Sequence, residues 1–299
     1  MFDYQTMRAL SAISRTGSFD KAAQHLGVTA SAISQRIKTL EDRLGTVLIK
    51  RGNPCVPTAA GRRLVQHADD VALLEHAVAR DLGHGPHDDI GATTIRLAVN
   101  ADSLATWFVT AMAAVDDGLL YDVVVDDQDY SADWLARGEV VAAVSGEPRA
   151  IQGCDVQGLG ALRYTATASP SFAAQWFPDG VTIDALSRAP CMVFNTKDGL
   201  QREWVKRVTG ADVVMPTHWL PSTQAFVDGA VAGLGWGVNP EPLMQGHVTA
   251  GRLVTLQPQT MLDVPLYWHV SRLAAPALAG LTAAVVQTAA RCLRPLHPA

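Results

Sequence analysis

Residues 18–44 read SFDKAAQHLGVTASAISQRIKTLEDRL, a pattern that predicts two short helices joined by a tight turn. Ser18 stands where an N-cap belongs, and Gly27 follows the apolar stripe of the first helix. The second helix begins after Thr29 and repeats apolar residues at helical spacing. Its opposite face carries four polar side chains, Ser31, Ser34, Gln35 and Lys38. A helix of this kind is suited to reading base edges in DNA.

The helix pair alone is consistent with two interpretations, a DNA-reading unit or two amphipathic helices of an ordinary hydrophobic core. The sequence on either side of the pair decides between them. Residues 4–16 carry apolar side chains at helical spacing and predict a third helix before the pair. Residues 47–56 predict a hairpin with Lys50 and Arg51 at its base. Three helices followed by a basic hairpin make up a winged helix-turn-helix domain.

The charge distribution agrees with this interpretation. Residues 1–66 hold ten Lys or Arg against four Asp or Glu, whereas residues 67–299 hold fourteen against twenty-five. The formal net charge of −5 therefore conceals a basic N-terminal module. Binding to phosphates requires such a local excess of cations.

Residues across this module carry a resemblance to a known family. The sequence resembles the LysR-type transcriptional regulators in Gly17-Ser18-Phe19, Ala22-Ala23, Leu26, Ser31-Ala32-Ile33-Ser34, Ile37, Leu40-Glu41, Leu44-Gly45, Leu48, Arg51 and Thr58-Ala59-Ala60-Gly61. It departs at Ala30, where the family often has a Gln that reaches toward a base, so base reading passes to Ser31, Ser34 or Gln35. We expect DNA contacts from Ser18, Thr29, Ser31, Ser34, Gln35, Lys38, Lys50 and Arg51.

Four later segments extend the resemblance over most of the chain. They are NADSLATW (100–107), RGEVVAAVS (137–145), QAFV (224–227) and LYWH (266–269). These segments look like the arginine- and lysine-responsive branch of the family, the ArgP/LysG-like regulators. The resemblance implies a basic amino acid as the effector.

A long helix is expected to follow the module. Thr58 is placed to cap it, and Leu64, Val71 and Val78 repeat every seven residues, which favours a dimerisation seam over a helix that packs only on its own domain. Residues 83–89 are rich in Gly, Pro and charge and predict a hinge. The 299 residues thus divide into a DNA-binding domain at 1–57, a linker at 58–89 and an effector domain at 90–299.

The effector domain is predicted to be α/β. Short apolar runs alternate with helical segments from residue 94 to 144, and a second such run begins near Leu162. The strand at 266–270 and the helix at 276–293 return to the first lobe. Two lobes with two crossings form a hinged cleft, and the resemblance implies a periplasmic-binding-protein-like architecture. Lobe I is assigned to about 90–161 and 263–299, and lobe II to about 162–262.

Cleft residues are expected where strands end and helices begin, because ligands bind there in open α/β sheets. Helix starts can bind a carboxylate through free N–H groups and a hydroxyl, although the same residues can serve only as N-caps. The acidic run at 126–129 can meet a cation or be a solvated loop. The predicted effector residues are Asp102, Ser103, Asp127, Ser145, Asn195 and Thr223.

Several classes of site and location are not expected. No nucleophile, zinc-protease or phosphate-loop motif is present, so we predict no catalytic residue and no cofactor. The four cysteines lack CxxC spacing and are expected to be reduced thiols. His84, His87 and Asp88 lie in a glycine-rich stretch that fixes no metal geometry. Without an export leader or a long apolar run, we expect a cytoplasmic protein with no membrane partner.

Three classes of function are weighed on these observations. The first is a sequence-specific regulator that responds to a basic amino acid, lysine or arginine with histidine as a rival, and that controls its export or metabolism. The second is a nucleoid or replication-control protein that binds AT-rich DNA without an effector, and the third is an enzyme with a DNA-binding module. We favour the first. Its expected partners are double-stranded promoter DNA, the effector, a second copy in a homodimer or homotetramer, and RNA polymerase.

Overall fold

The computed structural model describes residues 3–83, 93–126 and 131–296. The chain divides into two compact units. The first runs to Ile95 and includes Gly118–Leu120, and the second comprises Arg96–Asp117 and Tyr121–Ala299.

The first unit is a winged helix-turn-helix followed by a long helix, as predicted. Its elements are α1 Tyr4–Thr16, α2 Phe19–Leu26, α3 Ala30–Leu44, β1 Ile49–Lys50, β2 Val56–Pro57 and α4 Ala59–Asp81. The antiparallel pair β1 and β2 forms the wing. Fully buried Leu10, Ile13, Ile33, Ile37 and Leu48 form the centre of its core. Burial of these side chains is what fixes the polar face of α3 outward.

The helix starts and stops of this unit follow the sequence signals. Ser18, Thr29 and Thr58 each accept a backbone N–H at a helix start, from Lys21, Ala32 and Gly61 respectively. α1, α2 and α3 each end at a left-handed glycine, Gly17, Gly27 and Gly45. These caps satisfy backbone groups that the helices leave unpaired, which sharply defines the turn between α2 and α3.

The wing is fixed to the helices by two close contacts. The Glu41 side chain of α3 accepts the backbone N–H groups of Leu48 at 2.7 Å and Ile49 at 3.2 Å. On the other side, Gly61 at the start of α4 lies so close to Leu48 that a Cβ would collide with the Leu48 carbonyl oxygen. The wing therefore has a fixed position relative to α3.

The second unit begins with alternating strands and helices. These are β3 Thr93–Asn100, α5 Ala101–Ser103, a π-helical segment Leu104–Phe108, α6 Val109–Ala113, β4 Leu119–Asp126, α7 Ser131–Ala136 and β5 Ala142–Ser145. The predicted helix after β3 thus starts earlier than expected and contains a π turn. β3 lies between β4 and β5 in the sheet, and its pairing with β5 is parallel.

The remaining elements build the second lobe and return to the first. They are β6 Cys154–Ala168, α8 Pro170–Trp176, α9 Ile183–Arg188, β7 Cys191–Val193, α10 Leu200–Thr209, β8 Thr217–Trp219, α11 Thr223–Val231, β9 Gly237–Pro240, α12 Glu241–Thr249, β10 Val254–Thr255, β11 Met261–Ser271 and α13 Ala279–Cys292. The sequence interpretation did not include α8, α9 and α12, because each is a short helix with few apolar repeats. α13 packs on α6.

Two long strands form the predicted crossings between the lobes. β6 and β11 pair antiparallel along their length, from Thr165 with Met261 to Cys154 with Ser271. β5 pairs with the C-terminal half of β11, whereas β9 and β10 pair with the C-terminal half of β6. One sheet therefore continues from lobe I into lobe II.

The register of this pair shifts in the middle of the crossing, between Leu266 and Tyr267. At the same level Gly160 has φ +137°, and a Cβ there would lie 2.7 Å from the Arg294 carbonyl oxygen. Arg294 exchanges two backbone hydrogen bonds with Ala161, at 2.8 and 2.9 Å. A β-bulge beside a glycine is a place where a strand can bend locally.

Candidate functional site

The exposed face of α3 carries the polar side chains that the sequence singled out. Ser31, Gln35 and Lys38 are exposed, and the Ser31 hydroxyl lies 3.0 Å from the Thr29 hydroxyl. Ser18 and Thr29 are the N-caps of α2 and α3. The exposed face of α3 can place the Gln35 amide and the Lys38 ammonium in a DNA groove.

Arg51 joins the wing to both helices of the helix-turn-helix. Its guanidinium donates to the Ser34 hydroxyl at 3.1 Å and lies 5.0 Å from the centre of the Phe19 ring. Lys50 beside it is exposed. The sequence interpretation named Arg51 and Ser34 separately and missed that Phe19 and Ser34 hold the guanidinium. A cation positioned in this way is suited to a backbone phosphate.

The three residues of the predicted seam on α4 differ in exposure. Leu64 packs partly against the core of the winged unit, and Val71 is partly buried. Val78 is 57% exposed, and its apolar neighbours Leu74 and Leu82 are 43% and 71% exposed. The second half of α4 therefore presents an apolar surface that the first unit does not cover.

A cleft in the second unit brings together residues from both lobes. Its empty volume is about 510 Å³, which includes the open space at the mouth of the cleft. The polar lining residues are Asn100, Asp102, Asp198, Gln201, Thr223 and Asn239. Apolar lining is supplied by side chains such as Phe194, Leu200 and Phe226.

Asp102 connects the two sides of the cleft. Its carboxylate accepts the Tyr164 hydroxyl at 2.8 Å and the Thr223 hydroxyl at 2.9 Å. Burial raises the pKa of the Asp102 carboxyl above its ordinary value of 3.8, the two hydroxyl donors oppose that rise, and the charge of Asp198 adds to it. A cation bound here would favour the ionised carboxylate.

Asp198 is a second carboxylate of the cleft that the sequence interpretation missed. One of its oxygens accepts the Phe194 N–H, and the other accepts the Leu200 N–H at the start of α10, both at 3.0 Å. Asn195, which is also predicted to contact the effector, accepts the N–H groups of Lys197 and Asp198 within this loop. The sequence signal that could have identified Asp198 is its position just before a predicted helix, where an Asp side chain can accept backbone N–H groups.

The other predicted effector residues take different positions. Thr223 lines the cleft beside Asp102. Ser103 is fully buried next to Asp102, and its hydroxyl has no hydrogen-bond partner among the described residues. Ser145 is fully buried at the end of β5 and accepts the Glu147 N–H at 2.9 Å. Asp127 lies outside the described residues, as do His84, His87 and Asp88 of the linker.

Three amide oxygens of the cleft wall have no hydrogen-bond partner in the described part of the chain. They belong to Asn100, Gln201 and Asn239, whose exposed fractions are 2%, 1% and 0%. Asn100 is the N-cap residue of α5, yet its side chain makes no cap hydrogen bond. Buried acceptors without partners are rare in folded proteins, and they indicate a place that a donor can fill.

Both units match models of one protein family. Residues 4–62 match the bacterial regulatory helix-turn-helix protein model of the lysR family, and residues 91–290 match the LysR substrate binding domain. The chain belongs to the LysR family. It is therefore a DNA-binding transcriptional regulator with an effector-binding domain, and the predicted family and architecture are confirmed.

Several relatives of this LysR-family regulator cover nearly its whole length. The HTH-type transcriptional regulator ArgP of Pseudomonas aeruginosa is 42% identical over 286 residues, 94% of each chain. The crystal structure of ArgP from Mycobacterium tuberculosis is 40% identical, with a TM-score of 0.80, and covers 99% of this chain and 100% of that one. Full-length LysG of Corynebacterium glutamicum with bound effector Arg is 33% identical, with a TM-score of 0.66, and covers 98% and 100%.

The LysR-family chain has no helix, among residues 3–83, 93–126 and 131–296, that is long and apolar enough to cross a membrane. The same residues contain no group of three or more His, Cys, Asp or Glu side chains placed to hold a metal ion.

Proposed function

We propose that this LysR-family regulator senses a basic amino acid, lysine or arginine with histidine as the alternative, in the cleft between its lobes. The observation that carries the proposal is the half-buried Asp102 carboxylate, which has hydroxyl partners but no cation within the described residues. A cationic side chain compensates the charge of a buried carboxylate better than hydroxyl groups do. The relative LysG with arginine as its effector supports the same class of ligand.

The cleft lining suits the two ends and the stem of such a ligand. The cationic head binds beside Asp102 and Asp198, and the methylene stem packs on Phe194 and Phe226. The amino acid carboxylate needs donors, and we assign to it the Ser103 hydroxyl and the backbone N–H of Thr223, whose own hydroxyl already donates to Asp102. Thr223 opens α11, whose positive end favours an anion. Ser145, Asn195 and Asp127 remain proposed rim residues.

On the DNA side, we propose that residues 1–57 bind promoter DNA and that the linker at 58–89 joins two copies of the chain. In domain 90–299, lobe I is residues about 90–161 with 263–299, and lobe II is residues about 162–262. Binding of the effector closes the cleft between these lobes and so shifts the population toward the closed arrangement. The regulated genes encode export or metabolism of the same amino acid. The regulator acts in the cytoplasm as a homodimer or homotetramer and contacts RNA polymerase at the promoter.

Calorimetric titration with each of the twenty amino acids tests the ligand class. Lysine, arginine or histidine is expected to bind best, because only these can bring a side-chain cation to Asp102. Best binding by a neutral or acidic amino acid would refute the proposal. Nuclease footprinting tests the coupling to DNA: a protected dyad-symmetric site should change when the ligand is added, whereas unchanged coverage that ignores sequence would support an effector-free DNA-binding protein.

A further inference from the structure

We infer that the cleft distinguishes a guanidinium from an ammonium, and that Gln201 is a specificity-determining residue for this choice. The inference rests on the proposed basic amino acid effector and concerns which head group the cleft prefers. It starts from the chemistry of the unfilled positions on the cleft wall, where the unpartnered side-chain atoms of Asn100, Gln201 and Asn239 are all amide oxygens.

The orientation of one of these amides is fixed by its own donors. The Asn239 Nδ2 donates to the Thr167 hydroxyl at 2.9 Å and lies 3.4 Å from the Gly237 carbonyl oxygen. A carbonyl oxygen can only accept, so the nitrogen of this amide is on that side and the oxygen is on the other. Asn239 therefore presents an acceptor.

The two carboxylates of the cleft add further acceptors. Asp102 accepts one hydroxyl at each oxygen, and Asp198 accepts one backbone N–H at each oxygen. A carboxylate oxygen has room for a second donor. The wall thus offers acceptors from five side chains, and its Thr223 hydroxyl is already committed to Asp102. Such a wall matches a ligand that has many donors.

Arginine and lysine carry the same charge and differ in donors. A guanidinium has five N–H donors spread over a plane, whereas an ammonium has three at one point. A planar fork can reach a carboxylate and several separate amide oxygens at once, and each acceptor left unpaired in the closed cleft lowers the affinity. Gln201 lies in the first turn of α10, three residues after Asp198, and both residues line the cleft.

The selectivity of the unmodified protein is the first test and needs no variant. Calorimetry with L-arginine, L-lysine and the uncharged isostere L-citrulline on the full-length protein should give arginine at least about tenfold tighter than lysine, as one or more extra hydrogen bonds in a closed site predicts. Equal binding of arginine and lysine overturns this inference and leaves the proposed function standing. Citrulline binding as tightly as arginine overturns both.

The second test is the ratio of the two affinities in Gln201→Leu, which removes the acceptor and keeps the approximate side-chain size. Arginine affinity should fall about tenfold while lysine affinity changes less than about twofold, since the ammonium does not need this oxygen. Gln201→Glu keeps an acceptor and should keep the preference for arginine. Gln245→Leu, on the exposed face of α12, is the matched control and should change neither affinity. Equal losses for both ligands in Gln201→Leu would make Gln201 a structural residue and overturn its assignment.

Discussion

Gln35 on α3 and Gln201 on α10 carry the same amide in opposite surroundings. Gln35 is exposed on the winged unit, and Gln201 is 1% exposed on the wall of the effector cleft, with its oxygen unpartnered among the described residues. An exposed amide exchanges water for a base edge at little cost, so its net contribution is small and depends on the sequence of the DNA. A buried amide has already lost its water, and a ligand that supplies the donor recovers that loss.

The two regions therefore reach their affinity in different ways. The DNA surface must add many weak, exposed contacts and is therefore sensitive to salt, and in the proposed dimer it is sensitive to assembly as well. The cleft can use a few buried contacts, and its affinity for the effector is therefore sensitive to the removal of a single polar atom.

The assembly of two DNA-reading units should have the largest effect. Val78→Glu places a charge on the exposed apolar half of α4 and should separate the copies. Loss of two-site binding should reduce the affinity for a full dyad site by about 10²–10⁴-fold, and light scattering should show a smaller particle. Val78→Ala is the control and should keep most of the affinity. A wild-type protein that is a monomer at micromolar concentration contradicts this prediction.

The residues of the seam should not behave alike. Leu64 packs on the core of the winged unit, so Leu64→Glu should unfold that unit as well as disturb assembly. Circular dichroism during heating separates the two effects, because Val78→Glu should retain its helical signal.

Removal of one buried charge in the cleft should have the next largest effect. Asp102→Asn keeps the shape and should weaken binding of the basic amino acid by about 2–5 kcal/mol, because a buried ligand cation loses its counter-charge. Calorimetry measures the loss, and the DNA affinity without effector should not change. Asp127→Asn makes the comparison sharp: a larger loss there than at Asp102 would move the cation site to the acidic run after β4.

The pH dependence of binding checks the same assignment. The pKa of the Asp102 carboxyl is raised by burial, so protonation on lowering the pH through that raised value removes the charge that holds the cation. Effector affinity should therefore fall as the pH falls through the raised pKa, before it reaches the ordinary Asp value of 3.8. The dependence should be absent in Asp102→Asn. The same dependence in both proteins would assign it to another group.

A base-reading contact should have a moderate effect that depends on DNA sequence. Gln35→Ala should cost about 1–3 kcal/mol at the true operator and little on random DNA. Fluorescence anisotropy with both DNAs measures the difference. Thr39→Ala, exposed on the same helix, serves as the control. An equal loss on the two DNAs would make Gln35 a backbone contact.

A phosphate contact should have the smallest effect on specificity. Arg51→Ala should weaken specific and random DNA alike and reduce the slope of log affinity against log salt by about one. Arg51→Lys keeps the charge and should keep the slope, although it cannot reproduce the planar contacts to Ser34 and Phe19. Loss of affinity for the operator alone, with affinity for random DNA unchanged, would instead make Arg51 a base-reading residue.

The winged unit could be predicted because its signals are local. Ser18, Thr29 and Thr58 cap helices within three residues of their partners, and the polar face of α3 follows from one periodicity. The position of the cleft could be predicted from the sequence, but the side chains that meet in it could not. Asp102 contacts Tyr164 and Thr223, which are 62 and 121 residues away, and no spacing rule reports such pairs. Gln201 looks from sequence like any polar residue on a short amphipathic helix.

Pairing of β6 with β11 joins residues that are 100 positions apart, such as Arg163 and Asp263. During synthesis the cleft cannot form until β11 has left the ribosome, whereas the winged unit is complete once α4 has emerged. At about 5–20 residues per second, roughly 10–40 s separate the two events. During that interval the nascent chain has a folded DNA-binding unit but no effector cleft. A messenger RNA truncated before the codons of β11 would therefore encode a DNA-binding protein that cannot bind the effector.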